Sequence, residues 1–491
     1  LLLFRKINGF KKITHSGAAA YASLIKSTNK NRFMLGIFEN HQNLYSWIPK
    51  IEKTTFDVSV VHFLLMFGYK LFSLYYPLFL LSIGLSVVKI GGVYLLIYGT
   101  IAAASLIVNF YLKKFRPALI ASLGILGYGV YALIMLSVGI VGNLSLPIFY
   151  LAQIILGFSA AAWLVSLKLI LMKSETKNYS QTFGWFYSAP YYASAIAPAV
   201  GGVILWKFGF TGVFLLSVII QFVNAVYAYF RLNNHSIFLS EGNRGGFLSS
   251  LTKRRQGKVK KFLLSRDLTS WLRRRLNSCS GKSLSGDLSQ PRGAAAAAVK
   301  KVLGVLKFDK TILVVLIALF AALILGGVYR AFFVLFLKDL SYSQNDIIKF
   351  ISFVSIIYLP LSLLVIKAMK RLKTVRVISG GIIVEGIVAV TLGIFAGVLN
   401  LLAIFLVMLI DSLGSLAVGS GKSSWLAMKL KNHREEAATF DTIITTLGPA
   451  LGGLLGGIVI AWIGYQNTFL AGGMIVFLIG IISWFCRMDN K

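Results

Sequence analysis

Residues 197–202 read Ala197-Pro198-Ala199-Val200-Gly201-Gly202, and residues 448–453 read Gly448-Pro449-Ala450-Leu451-Gly452-Gly453. The two elements lie 251 residues apart, each inside a long apolar run. A repeated element at a fixed spacing is read before any motif, because it sets the number of structural units. Working outward, the pattern recurs in chain order. Pro77-Leu78-Phe79-Leu80 with Ser86 matches Val334-Leu335-Phe336-Leu337 with Ser343, and Lys113-Lys114-Phe115-Arg116 matches Lys370-Arg371-Leu372-Lys373, both 257 residues apart. Gly157 and Gly414 are also 257 apart. One such match is weak, but four in the same order describe two parallel halves.

Apolar runs long enough for a ~30 Å hydrocarbon core at 1.5 Å per residue recur along both halves. They fall at 59–83, 91–112, 118–140, 147–171, 182–206 and 211–231, then at 311–338, 347–367, 376–397, 400–428, 441–463 and 467–486. The expected fold is therefore an all-α integral membrane protein with twelve transmembrane helices in two pseudo-symmetric six-helix bundles. Expected units are a basic tail over 1–56, a first bundle over 57–231, a basic linker over 232–310 and a second bundle over 311–487. Composition agrees. The chain is 57% apolar and 13% charged over 491 residues, where a soluble protein carries about a quarter charged residues. A soluble globular protein, a disordered chain and a coiled coil are all excluded. Two cysteines, Cys279 and Cys486, support neither a disulfide framework nor a Cys-based metal site.

The formal net charge of +34 is concentrated outside the apolar runs. Residues 1–56 carry nine Lys/Arg and two acids, and residues 231–310 carry eighteen and four. The turns after the second and eighth runs hold Lys113, Lys114 and Arg116, then Lys370, Arg371 and Lys373, while 139–146 and 397–400 carry no charge. Loop bias of this kind sets orientation. Both termini and the linker are expected in the cytoplasm of a cell in whose plasma membrane the chain sits, with no nucleic-acid partner. Residues 1–33 either form a cytoplasmic tail or precede a start at Met34; the sequence leaves both open. Leu264, Leu268, Trp271, Leu272 and Leu276 fall on one helical stripe beside Arg266, Arg273 and Arg274. That pattern suits a helix over 260–276 lying on anionic lipid headgroups, and a solvated tether is the alternative. Ser278–Gln290 and the five alanines Ala294–Ala298 read as linker.

These features resemble the major facilitator superfamily of secondary transporters, over about 59–231 and 311–486. Twelve runs, a long basic central loop, the basic turns and the Gly-Pro-x-x-Gly-Gly elements carry the resemblance. The family turn Gly-x-x-x-Asp-Arg-x-Gly-Arg is kept here only in its basic character, with Asn109, Lys113, Lys114 and Arg116 at the Gly, Asp, Arg and second Gly positions. The Arg that many proton antiporters place four residues before a Gly in helix 4 is Gln153. The resemblance implies a monomeric carrier working by alternating access on a small-molecule substrate, with a proton or ion gradient and no cofactor. A Pro-Gly-Gly fifth helix is more typical of exporters, so proton-coupled efflux is expected. Uptake of an anionic metabolite or sugar is the alternative, and a non-transporting sensor or a membrane enzyme is the alternative of another class.

Gly419-Ser420-Gly421-Lys422-Ser423 is not a phosphate loop, since Leu416 replaces its first Gly and the stretch lies in an apolar run. Small residues for tight helix packing explain it. The same packing is expected of Pro198, Gly201, Gly202, Gly448, Pro449, Gly452 and Gly453, across the two halves, with a part in gating. A central charge costs ~2.5–3.5 kcal/mol on insertion scales and demands a partner, water or a task. Glu385 and Asp411 are the acids read as lying well inside a run, and Lys70 and Arg330 the deepest bases. At 1.5 Å per residue, Arg330 lies ~14 Å from Asp339, Asp411 ~16 Å from the start of its run and Lys70 ~20 Å from the end of its own. In the family the first, fourth, seventh and tenth helices line the cavity, which makes Lys70, Arg330 and Asp411 candidate substrate or coupling groups, and Glu385 a buried partner. His62 joins them as the only histidine in a run, more naturally as a packed side chain; no metal site forms around it. Tyr69, Tyr75, Tyr76, Phe183, Trp185, Tyr187, Tyr191 and Tyr192 are candidates for stacking a substrate. Two acids and two bases at one depth balance without a ligand, which favours closed ion pairs over an anion site.

Overall fold

The computed structural model describes residues 51–485 except 74–75, 83, 142–145, 175, 177 and 241–309. The tail over 1–50, the surface stripe over 260–276, the linker alanines, Tyr75 and both cysteines lie outside the described residues. Among the described residues every regular element is a helix. In chain order they are α1 (Lys53–Ser73), α2 (Tyr76–Ser82), α3 (Val87–Leu112), α4 (Pro117–Val141), α5 (Leu146–Lys173), α6 (Tyr179–Ser240), α7 (Lys310–Asp339), α8 (Gln344–Met369), α9 (Thr374–Phe395), α10 (Leu401–Lys429) and α11 (Arg434–Phe485). Ten helical stretches among them are long and apolar enough to cross a bilayer. Helices suit such runs because lipid offers no partner for a backbone N–H or C=O, and a helix satisfies both internally.

The repeat read from sequence is visible in backbone detail. Ser86 caps α3 by accepting from the Lys89 N–H, and Ser343 caps α8 by accepting from the Asp346 N–H. The residues two positions earlier, Gly84 and Ser341, both adopt positive φ, at 82° and 67°. α6 and α11 each break at one left-handed glycine, Gly209 (φ 65°) and Gly464 (φ 79°). A straight 62-residue helix would run ~93 Å, three times the hydrocarbon thickness, so the break is what lets α6 fit. Trp206 and Trp462 stand beside the two breaks, 82% and 86% exposed. Amphipathic indole rings at helix ends are the interface anchors of membrane helices.

Inside, small residues let backbones meet. A Cβ on Gly201 would strike the Leu71 carbonyl of α1, and one on Gly452 the Ile324 carbonyl of α7. Gly448 and Pro449 face Leu323 and Gly327, again on α7. These contacts lie within each half, and the α11 element also packs across the halves as expected, since a Cβ on Gly91 of α3 would strike the Gly453 carbonyl. Gly453, against Tyr94 of α3, does cross. Gln221 and Asn224 of α6 donate to the Leu65 and Val61 carbonyls of α1 at 2.9 and 3.1 Å. Side-chain donors of this kind join helices where lipid supplies no water.

Candidate functional site

Charge is concentrated in two places between elements from opposite halves. The first lies at the end carrying the basic turns, where α5 and α10 finish and α11 begins. Lys168 of α5 places its Nζ 2.8 Å from Asp441 Oδ2, and Lys422 of α10 places its Nζ 2.5 Å from Asp441 Oδ1. All three side chains are sealed from solvent, at 0%, 1% and 0% exposure for Lys168, Lys422 and Asp441. Ser423 donates to Asp441 Oδ2 at 2.6 Å, and the Ser423 hydroxyl lies 2.8 Å from that of Tyr187. Lys422 also donates to the Asp441 carbonyl at 3.3 Å and to Thr445 Oγ1. Ser180 and Ser424 join α6 to α10 at 3.0 Å. Further out, Lys173 pairs with Glu435 at 2.7 Å and Lys113 with Glu436 at 3.7 Å. Three bases of the first half thus meet three acids of the first turns of α11. Lys113, standing where the family turn carries Asp, takes part with reversed charge.

The acid reading made from sequence is corrected here. The apolar run over 441–463 has Asp441 as its first residue, but α11 starts at Arg434, which sets Asp441 two turns inside the helix. Lys168 and Lys422 were legible as bases inside apolar runs, and they lie 254 residues apart, one turn from exact repeat equivalence. Gly421 packs on Ile378 and Gly419 on Tyr187, as small residues should. The lysine and serine that follow Gly421 do a second job, which the rejected phosphate-loop reading hid.

The second place lies deeper. Lys70 of α1 is half-buried and Arg330 of α7 is exposed between the elements, its guanidinium 6.0 Å from the ring centre of Tyr98 on α3. Glu385 of α9 is buried and accepts from Ser415 Oγ at 2.7 Å, while Asp411 lies one turn before Ser415 on α10 and is 9% exposed. Among the described residues no ion pair within 4.0 Å joins Lys70 or Arg330 to Glu385 or Asp411. The closed pairs expected from charge balance are therefore not formed within that distance: Glu385 turns to Ser415 of α10, and Arg330 turns towards Tyr98 of α3. His62 takes the packed place favoured for it rather than a cavity one. Its ring stacks on Phe186 at 4.3 Å and its Nδ1 lies 3.0 Å from the Phe186 carbonyl, so it is packed inside the first half, away from the cavity. Its burial is 3%.

The remaining basic turns stay at the surface. Lys114 lies over the Phe110 ring at 4.3 Å, Arg116 donates to Asn233 Oδ1 at 3.2 Å, and Lys370, Arg371 and Lys373 are exposed. Three of the aromatic candidates join the halves. Tyr191 stacks on Tyr358 with centroids 4.2 Å apart, the Tyr192 hydroxyl lies 3.0 Å from Ser362 Oγ, and Tyr187 meets Ser423. An apolar hollow of about 480 Å³ between α7 and α11, lined by Leu316, Phe320 and Phe440 among others, contains none of the charged groups. Among the described residues no His/Cys/Asp/Glu cluster is arranged to hold a metal ion.

Paired charge at one end and unpaired charge near the middle of an all-helical bundle define a membrane carrier. The sequence profile of the Major Facilitator Superfamily matches residues 58–440, and the chain belongs to that family. It is a transporter and not an enzyme, and its class is that of secondary transporters. Solved structures share the fold. A variant of the peptide transporter POT in complex with alafosfalin has TM-score 0.57 at 13% identity, covering 90% of this chain and 97% of its own. A POT family transporter in complex with 5-aminolevulinic acid gives 0.59 at 15%, covering 89% and 97%. The human organic anion transporter MFSD10 (TETRAN) gives 0.56 at 13%, covering 87% and 99%. No curated protein sequence matches the chain.

Proposed function

We propose that the protein is a proton-coupled exporter of a small organic solute bearing an anionic group, working by alternating access in the plasma membrane. Ten crossing-length stretches, two of them broken by Gly209 and Gly464, make twelve crossings. In this reading they form two six-helix bundles that rock about a midplane site, with both termini and the basic linker inside the cell. The observation that carries the cargo class is Arg330, exposed between the halves without an acid within 4.0 Å among the described residues. An arginine there offers a bidentate donor fork to a carboxylate or phosphate, and Lys70 adds a point charge. Glu385, which accepts from Ser415, and Asp411 supply the proton carriers on α9 and α10. Efflux as the direction rests on the Pro-Gly-Gly elements.

The test is solute flux in proteoliposomes with an imposed pH gradient of either sign. Asp411→Asn is expected to abolish gradient-driven flux while leaving solute exchange. Undiminished pH-driven flux in that variant removes Asp411 as the coupling group, and the sign of the gradient that drives accumulation gives the direction. Labelling of Asn143→Cys and Ser285→Cys tests topology: both reacting from the same side would break the twelve-crossing reading.

A further inference from the structure

Lys168 and Lys422 share one carboxylate, and the sharing is unequal. Everything that holds Asp441 apart from Lys168 comes from the second half of the chain: Lys422 at 2.5 Å and Ser423 at 2.6 Å. Lys168, in contrast, has both of its polar partners in the other half, Asp441 at 2.8 Å and Thr445 at 3.5 Å. On its own side Nζ lies over the face of the Tyr187 ring, 5.9 Å from its centre. Two ammonium groups and one carboxylate, all sealed from solvent, also leave one positive charge uncompensated, and a buried charge of that kind is costly. If the halves part at this layer, Asp441 stays neutralised by Lys422, and Lys168 is left as a bare cation on the wall of the opened space.

We propose that Lys168 is an oxyanion-binding site in the state open at the basic-turn end, where the carboxylate or phosphate group of a solute takes the position that Asp441 holds when the layer is closed. The inference rests on the alternating-access reading above. It adds a second anion position some turns from Arg330: along α10, Lys422 is eleven residues, ~16 Å, from the level of Asp411. Anion and Asp441 compete for the same ammonium, so binding and closure exclude one another. Tyr187, whose ring faces Lys168 and whose hydroxyl meets Ser423 when closed, stays with Lys168 on opening and leaves a hydroxyl donor beside it.

The experiment uses the full chain in detergent with Cys279 and Cys486 replaced by Ser and a reporter Ser180→Cys, a position sealed in the closed layer against Ser424. Labelling by a membrane-impermeant maleimide is followed with succinate, inorganic phosphate or chloride. The expected result is that succinate or phosphate at saturation raises the labelling rate about tenfold by shifting the open population, while chloride does not; the stronger of the two oxyanions identifies the group preferred. Lys168→Gln is expected to raise the basal rate and abolish the oxyanion response, whereas Lys422→Gln retains the response. A layer that opens but ignores both oxyanions, or an oxyanion response undiminished in Lys168→Gln, overturns the inference and leaves alternating access intact. No labelling in any variant, Asp441→Asn included, overturns alternating access and this inference together.

Discussion

At the basic-turn end Lys168 and Lys422 each place Nζ within 2.8 Å of the Asp441 carboxylate, dry and cross-linked between halves. About 16 Å deeper along α10, Lys70, Arg330, Glu385 and Asp411 make no such pair among the described residues. Both regions place charge where lipid-embedded protein tolerates it poorly. The first pairs both of its lysines with one carboxylate, so its energy falls when the layer is shut. The second leaves bases facing space, so its energy falls when water or a ligand arrives. A carrier needs both kinds: one that rewards closure and one that rewards occupancy.

The largest expected effect comes from breaking the paired region. Asp441→Asn leaves two buried ammonium groups without a counter-charge, and losing one partner of a buried pair costs about 3–5 kcal/mol. Thermal unfolding in detergent should show a large loss, and adding Lys168→Gln should restore part of it. If Asp441→Asn unfolds at the wild-type temperature, the layer is wet and the contrast between the regions disappears.

Next in size is the seam that ties the two regions together. Gly452 meets the Ile324 carbonyl on α7, two turns from Arg330, and lies on the same helix as Asp441. Gly452→Ala overpacks this contact and is expected to cost about 1–3 kcal/mol. Gly92→Ala, where a Cβ meets nothing within 4 Å, is the matched control and should be neutral. Equal effects of the two would remove close packing as the cause.

Smaller in stability, though not in transport, is the unpaired region. Arg330→Gln should change the unfolding temperature little, because no acid is stranded, while the apparent substrate constant rises about tenfold, the loss of a charge-assisted contact of roughly 1.4 kcal/mol. A marked loss of stability, rescued by adding Asp411→Asn, would instead restore the ion-pair reading. The smallest effect is expected at the rim. Lys113 is 49% exposed and 3.7 Å from Glu436, so Lys113→Gln should cost less than about 1 kcal/mol. A larger cost would extend the paired region out to the surface.

Much of the fold was readable because it is local or periodic. A run of twenty apolar residues must become a helix in lipid whatever surrounds it. The repeat followed from position alone, and Ser86 with Ser343, then Gly84 with Ser341, realise it in equivalent cap geometry. The site was readable only in part. Lys70, Arg330, Glu385 and Asp411 stood out as single charges in apolar runs, but no pair among them closes within 4.0 Å among the described residues, and a count of signs carries no directions.

The sequence alone determined the class and the helical content, because hydrophobic length and spacing are properties of one segment at a time. Only the tertiary structure decided which charges meet. Lys168 and Asp441 are 273 residues apart and belong to different halves, and their contact exists because α5, α10 and α11 bring three helix ends to one level. Burial turns that contact into a lock, since a charge shielded from water is held by whatever opposite charge the packing sets beside it.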